Sequence, residues 1–145
     1  MSKPSAEEIA RRSAEAMWAG DNATRDLGIE MIAIGPGRAT MAMQIRPSMT
    51  NGHGMCHGGY IFLLADSAFA FACNSHGRRN VAQHCQVTFL APGKLGTRLI
   101  AEAFERQRGE RSGITDVTVR GETGAVIAEF RGHSRAIPGA LVATA

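Results

Sequence analysis

Three cysteines, Cys56, Cys73 and Cys85, are too few and too odd in number for a disulfide framework, and no CxxC pair is present. The chain also lacks a GxSxG nucleophile elbow, a GxxxxGK[ST] phosphate loop and a GxGxxG dinucleotide turn. Long hydrophobic runs are missing too. The longest, Tyr60 to Cys73, is too short to span a bilayer and contains Asp66. Residues 1–19 are charged and amphipathic, with no apolar segment of the secretory kind. These absences predict a protein of the reducing cytoplasm with no membrane span. Neither sign of charge dominates: 16 Lys and Arg face 13 Asp and Glu, for a net charge of +3. That balance does not make the dense basic stripe of a dedicated nucleic-acid binder, and it suits an anionic small ligand.

What is present is an ordinary globular composition, 44% hydrophobic and 20% charged. The 145 residues fit one domain, 1–145, able to bury a core without disulfide or metal staples. Residues 5–19 read as a helix capped by Ser5, with Glu7 and Glu8 in its first turn and a stop at Gly20-Asp21. A short apolar segment, 28–34, turns at Gly35-Pro36-Gly37 into the alternating run Ala39 to Ile45, which predicts a hairpin. After a polar loop, Pro47 to Cys56, the stretch from about His57 to Ser75 is rich in Ala, Leu and Phe and apolar almost all round. It predicts a helix buried on most sides, stopping at Gly77. The remainder alternates as strands: His84 to Phe89, 97–107, 113–120 and 125–136, with turns at Ala91-Pro92-Gly93 and Gly121-Glu122-Thr123-Gly124. The tail after Pro138 is expected to be loose. This order predicts an α+β fold, a curved antiparallel sheet packed on one long central helix.

Asp66 is the charged residue in an otherwise apolar run from Gly59 to Ser75. An ionised carboxylate there is costly without a partner. It either meets a polar rim or caps a neighbour, or it is a site carboxylate with a tuned pKa. Asn51 and His57-Gly58-Gly59 lie at the start of the same helix. Free N–H groups at a helix N-terminus attract negative charge and can hold the oxyanion of acyl transfer. The same residues also make an ordinary glycine-rich turn. Gly58 and Asp66 are eight residues apart, roughly 12 Å along a helix. Both cannot touch one thioester carbonyl from one chain. If both act, the site joins Gly58 of one protomer to Asp66 of another, which requires a dimer with antiparallel helices.

Other chemistry is less favoured. His53, Cys56 and His57 have no matching set of ligands elsewhere, so no metal is expected. Cys56 or Cys73 as nucleophile would need an oriented histidine, and a buried inert thiol is the simpler reading. Arg78 and Arg79 follow the long helix, and Arg106, Arg108, Arg111, Arg131, His133 and Arg135 fall in the late strands. Glu129, Arg131, His133 and Arg135 share one strand face, opposite Ala128, Phe130, Gly132 and Ser134. That face is either a solvated surface or a phosphate-binding surface for a ligand such as coenzyme A.

The run NGHGMCHGGYIFLLADSAFAFACNSHG, residues 51–77, resembles the signature of the PaaI-type hotdog thioesterases, the acyl-CoA thioesterases of phenylacetic acid degradation. HCQVTFLAPGKLGTRLIAEA, ERSGITDVTV and VIAEFRGHSRAI resemble the later strands of that family, so the likeness covers about 10–137. The resemblance implies a hotdog fold, a homodimer and commonly a dimer of dimers, and hydrolysis of an acyl-CoA to free acid and CoA without metal or cofactor. It implies that the Gly58 N–H meets the thioester carbonyl, with Asn51 and His57 close by. Asp66 would act as general base on water or as nucleophile. Arg78, Arg79, Arg111, Arg131 and His133 are the candidates for the CoA moiety. Members often carry a Ser or Thr near the start of the following strand. Here the run is Val81-Ala82-Gln83-His84, with Gln83 the nearest polar residue. The competing readings are a non-catalytic acyl-CoA sensor, against which the retained Asp66 argues, and a hotdog dehydratase or hydratase, which favours a His–carboxylate pair at another spacing.

Overall fold

The structure is a computed structural model and describes residues 2–145. Helix α1, Ala6–Gly20, starts where the Ser5 hydroxyl accepts the Glu8 N–H at 3.1 Å. Asp21 ends it and immediately caps a second helix, α2, Asn22–Asp26, through the Thr24 N–H at 3.1 Å. In the sequence Gly20-Asp21 reads only as a stop, so α2 is an addition to the expected elements. Strands β1, Glu30–Gly35, and β2, Arg38–Gln44, form the expected hairpin, with Gly37 at φ 68° in its turn.

Helix α3 is Gly58–Cys73, with His57 as N-cap and Asn74 as C-cap. Asn74 closes its end by donating to the Ala70 carbonyl at 2.8 Å and accepting the Asn80 N–H at 2.7 Å. Four strands follow: β3, Arg78–Phe89; β4, Arg98–Arg108; β5, Ser112–Arg120; and β6, Val126–Ala140. They join the hairpin in one six-stranded sheet of order β1-β2-β4-β5-β6-β3, every pair antiparallel.

The sheet packs its inner face on α3. Met41, Met43, Leu99, Ala101, Val117, Val119 and Phe130 are buried against Leu64, Ala65, Ala68, Phe69 and Phe71. Helix and sheet are so close at Gly132 that a Cβ there would fall 2.6 Å from the Phe69 ring. The two faces of β6 separate as expected. Ala128, Phe130, Gly132 and Ser134 are buried, while Glu129, Arg131, His133 and Arg135 lie on the other side.

Two boundaries differ from the sequence reading. β6 runs past Pro138 to Ala140, paired with Arg78, and the Leu141 N–H donates to the Gly77 carbonyl at 2.8 Å. The tail just beyond Pro138 is therefore paired, not loose. β3 starts at Arg78, well before His84, and lies at the sheet edge with β6 as its partner. Its register shifts between Ala82 and His84, which makes Gln83 the extra residue of a bulge.

Candidate active site

The N-terminal turn of α3 opens into a cleft of about 510 Å³ lined by Asn51, Met55, Cys56, Gly58, Ile61, Phe89, Leu90, Ala91, Pro92 and Gly93. Two chain segments hold its walls together. The Cys56 N–H donates to the Gly93 carbonyl at 2.9 Å, and Met55 bridges Lys94. The walls are apolar, and two groups bring polarity. The first is the Gly58 N–H, which has no acceptor among the described residues. His57 explains why that donor stays free. Its Nδ1 accepts the N–H of Gly59, one residue on, at 2.9 Å. A neutral ring accepting at Nδ1 carries its proton on Nε2. The second polar group is the Asn51 amide. Its oxygen accepts from the His53 N–H at 2.9 Å and the Met55 N–H at 3.3 Å. Backbone donors thus fix the orientation of the amide and leave its NH2 for a ligand.

Asn51, His57 and Gly58, grouped by the sequence motif, do lie at one helix end. The cap role of His57 is an addition to that expectation. The position just before a helix that opens Gly-Gly was the available signal.

Asp66 does not line this cleft. It is half-buried and has no hydrogen-bond or ion-pair partner among the described residues. Burial, and secondarily the charge of Asp21, raise its pKa above the ordinary carboxylate value. Beside it on α3, the Ser67 hydroxyl lies 2.8 Å from the Thr24 hydroxyl, which lies 2.7 Å from the Asp21 carboxylate. An ionised carboxylate only accepts, so Thr24 donates to Asp21 and Ser67 donates to Thr24. This buried chain docks α2 on α3 next to Asp66. The sequence carried half of its signal, an Asp three residues before a Thr, the N-cap spacing. The contact to Ser67 is long-range and left no local trace.

The cationic candidates divide. Arg78, Arg79 and Arg111 are exposed; Arg78 reaches the β4–β5 turn, where it donates to the Glu110 carbonyl at 2.7 Å, while Arg79 lies by Gly139. Arg131 lies on the outer sheet face in a bidentate pair with Asp116, at 2.6 and 2.9 Å. That hydrogen bond is the main reason the Asp116 pKa is lowered. The His133 ring stands edge-on to His84, centroids 5.3 Å apart. One chain therefore does not gather the five residues into a single cluster.

The thiols are held in their protonated form. Burial, with Glu105 second, pushes Cys73 up to about 12, and burial raises Cys56. Among the described residues no group of three or more His, Cys, Asp or Glu is arranged to hold a metal ion. No described helix is long and apolar enough to cross a membrane.

Comparison with known proteins places this geometry. Residues 53–128 match the thioesterase superfamily. The chain is 40% identical to the acyl-coenzyme A thioesterase PaaI of Escherichia coli strain K12, over 92% of this chain and 96% of that one. It is 30% identical to human acyl-coenzyme A thioesterase 13, over 83% and 89% of the two chains. The solved structure of E. coli PaaI superposes with a TM-score of 0.92, covering 94% of this chain and 99% of that one. A mutant of the phenylacetic acid degradation protein PaaI from Thermus thermophilus gives 0.78 at 34% identity, covering 81% and 100%. With its sheet and long helix in the hotdog arrangement of these relatives, the chain belongs to the thioesterase superfamily.

Proposed function

We propose that this protein hydrolyses acyl-CoA thioesters, with phenylacetyl-CoA or a related aryl thioester as substrate. The observation that carries the reading is the unpaired Gly58 N–H at the start of α3, facing an apolar cleft beside the free Asn51 amide. A donor preset on a developing oxyanion stabilises the tetrahedral intermediate without reorganising. The likeness to PaaI, named as an acyl-CoA thioesterase, supports the same reaction. In it the carbonyl carbon gains an oxygen from water, the C–S bond breaks, and the CoA thiolate leaves and takes a proton. Asp66 supplies the carboxylate, as general base on water or as nucleophile. An unpaired, half-buried carboxylate with a raised pKa is a better base than an exposed one.

The site is a two-chain site. Gly58 and Asp66 remain eight residues apart on one helix, roughly 12 Å of rise. A two-fold axis crossing α3 midway between them, at the level of Phe62, brings one chain's Gly58 level with the other's Asp66. The open edge of β3, twelve residues long with Val81 exposed, is the surface such a dimer would cover. A second pairing into a dimer of dimers follows the family's habit. Residues 1–145 form one hotdog unit, with its core at about 10–137. In the dimer, Arg78, Arg79 and Arg111 of one chain hold the CoA phosphates, with Arg131 and His133 extending that surface. Three free thiols suit a reducing cytoplasm.

The test is thiol release from phenylacetyl-CoA by the wild type and by Asp66→Asn. The variant is expected to lose turnover by about 10²-fold or more. Near wild-type rates in the variant would remove Asp66 from the chemistry. Tight binding of acyl-CoA with no release by the wild type would favour the sensor.

A further inference from the structure

Phe89 closes β3 where the strand passes the first turn of α3. Its ring lies against Gly58: a Cβ added there would fall 2.9 Å from Cζ and 3.3 Å from both Cε atoms. The residue is nevertheless 50% exposed and lines the cleft. The face of an aromatic ring thus lies over the Cα of the residue that carries the unpaired N–H. If the Gly58 N–H binds the thioester oxygen, as the proposed function requires, the oxygen sits about 3 Å from that nitrogen. The carbonyl carbon then lies beside the Phe89 ring, and one arm of the substrate must run along it.

Chemistry decides which arm. The pantetheine arm carries two amides and a hydroxyl, each of which needs a hydrogen-bond partner when it leaves water. Beyond Gly58 the wall is Met55, Ile61, Phe89, Leu90 and Pro92, which offers few. An acyl chain needs none. An arylacetyl group has one methylene between its carbonyl and its ring, which leaves that ring next to the carbonyl and able to pair with Phe89. A straight-chain acyl group in the same place gains only the burial of its surface.

We infer that Phe89 is the specificity-determining residue of the acyl pocket, selecting aryl over straight-chain acyl groups by ring-to-ring packing beside the Gly58 N–H. This deepens the proposed function and rests on it. The experiment measures kcat/KM for phenylacetyl-CoA and hexanoyl-CoA on the wild type, Phe89→Leu and Phe89→Tyr. Thermal melts of the three proteins accompany it. Leu keeps an apolar side chain and removes the ring. The phenylacetyl-to-hexanoyl ratio should fall about 2- to 12-fold in Phe89→Leu, the scale of an aromatic pair beyond its area. Phe89→Tyr retains the ring and should retain the ratio. If Phe89→Leu slows both thioesters alike, or leaves both unchanged, the ratio stays flat and the inference is overturned while the hydrolase reading survives. A wild type that releases thiol from neither substrate overturns that reading and this inference with it.

Discussion

At Gly58 a missing side chain and an unpaired donor do separate jobs, and substitutions can split them. The Gly58 N–H donates to no partner among the described residues, and the preceding His57 sits at φ −60°, ψ 134°. That extended backbone is what a residue before proline requires, and proline is at home in the first helical position. Gly58→Pro therefore deletes the donor without breaking a structural hydrogen bond. Gly58→Ala restores the N–H and keeps the same Cβ against the exposed Phe89 ring, which has room to swing. Loss of one oxyanion donor costs about 10²–10³-fold in kcat. Thiol-release assays should show that loss in the Pro variant and a much smaller one in Ala. Equal loss in both would assign the effect to crowding of Phe89. Asp66 carries a second consequence, in stability. Its folded pKa is raised from the ordinary 3.8, by burial first and by Asp21 second. The unfolded chain then releases this proton at lower pH than the folded one. Folding loses stability as pH rises from about 3.8 through the higher folded value, and the deficit stays in place above it. Asp66→Asn carries no such charge. Melting curves should place its Tm above the wild type's at pH 7, with the difference closing as pH falls toward 3.8. A variant no more stable than wild type at neutral pH would mean that the carboxylate is compensated in the folded state.

Among the elements, those whose burial follows a local period were legible in the sequence, and those made by distant contacts were not. The run from Tyr60 to Cys73 announced α3 because Leu64, Ala68, Phe69 and Phe71 had to be buried on several sides, and they are. Alternation along β6 separated its inner face from the face of Glu129, Arg131, His133 and Arg135. Helix α2 left no such trace. Five residues are too short to nucleate alone, and α2 stands because Asp21 caps it and Thr24 reaches Ser67, 43 positions away. β6 outran its expected end because Pro138 falls in the register shift opposite Arg79, where its missing N–H costs no ladder bond. The candidate site divides in the same way. Gly58 and Asn51 were readable from a motif, and Asp66 from one charge in an apolar helix. Phe89 was not, since its contact with Gly58 joins a strand end to a helix start. The position of β3 at the sheet edge was equally hidden, because alternation marks a strand without telling its neighbours.

For the whole molecule, the separation of Gly58 from Asp66 makes an arithmetic prediction. In the proposed two-fold dimer each active site would take its N–H from one chain and its carboxylate from the other. Gly58→Pro dimers then have two sites with a carboxylate and no donor, and Asp66→Asn dimers have two sites with a donor and no carboxylate. Both are impaired. Unfolding the two variants together at equal concentration and refolding them gives mixed dimers as half of the product. Every mixed dimer has one site defective in both groups and one site intact, because its good Gly58 faces the other chain's good Asp66. Activity should recover to about a quarter of the wild-type rate per chain. If each chain held its own complete site, every site in the mixture would keep one defect, and mixing would recover nothing. The same experiment with Asp66→Asn and a second Asp66→Asn preparation is the control, and it should stay inactive. Recovery well above the residual rates of the parents would establish that Asp66 is one half of the site and that the other half, the Gly58 N–H, is delivered across the two-fold axis. No recovery from a mixture whose heterodimers are confirmed by mass would place both groups in one chain, and α3 would then have to bend or unwind to let them meet.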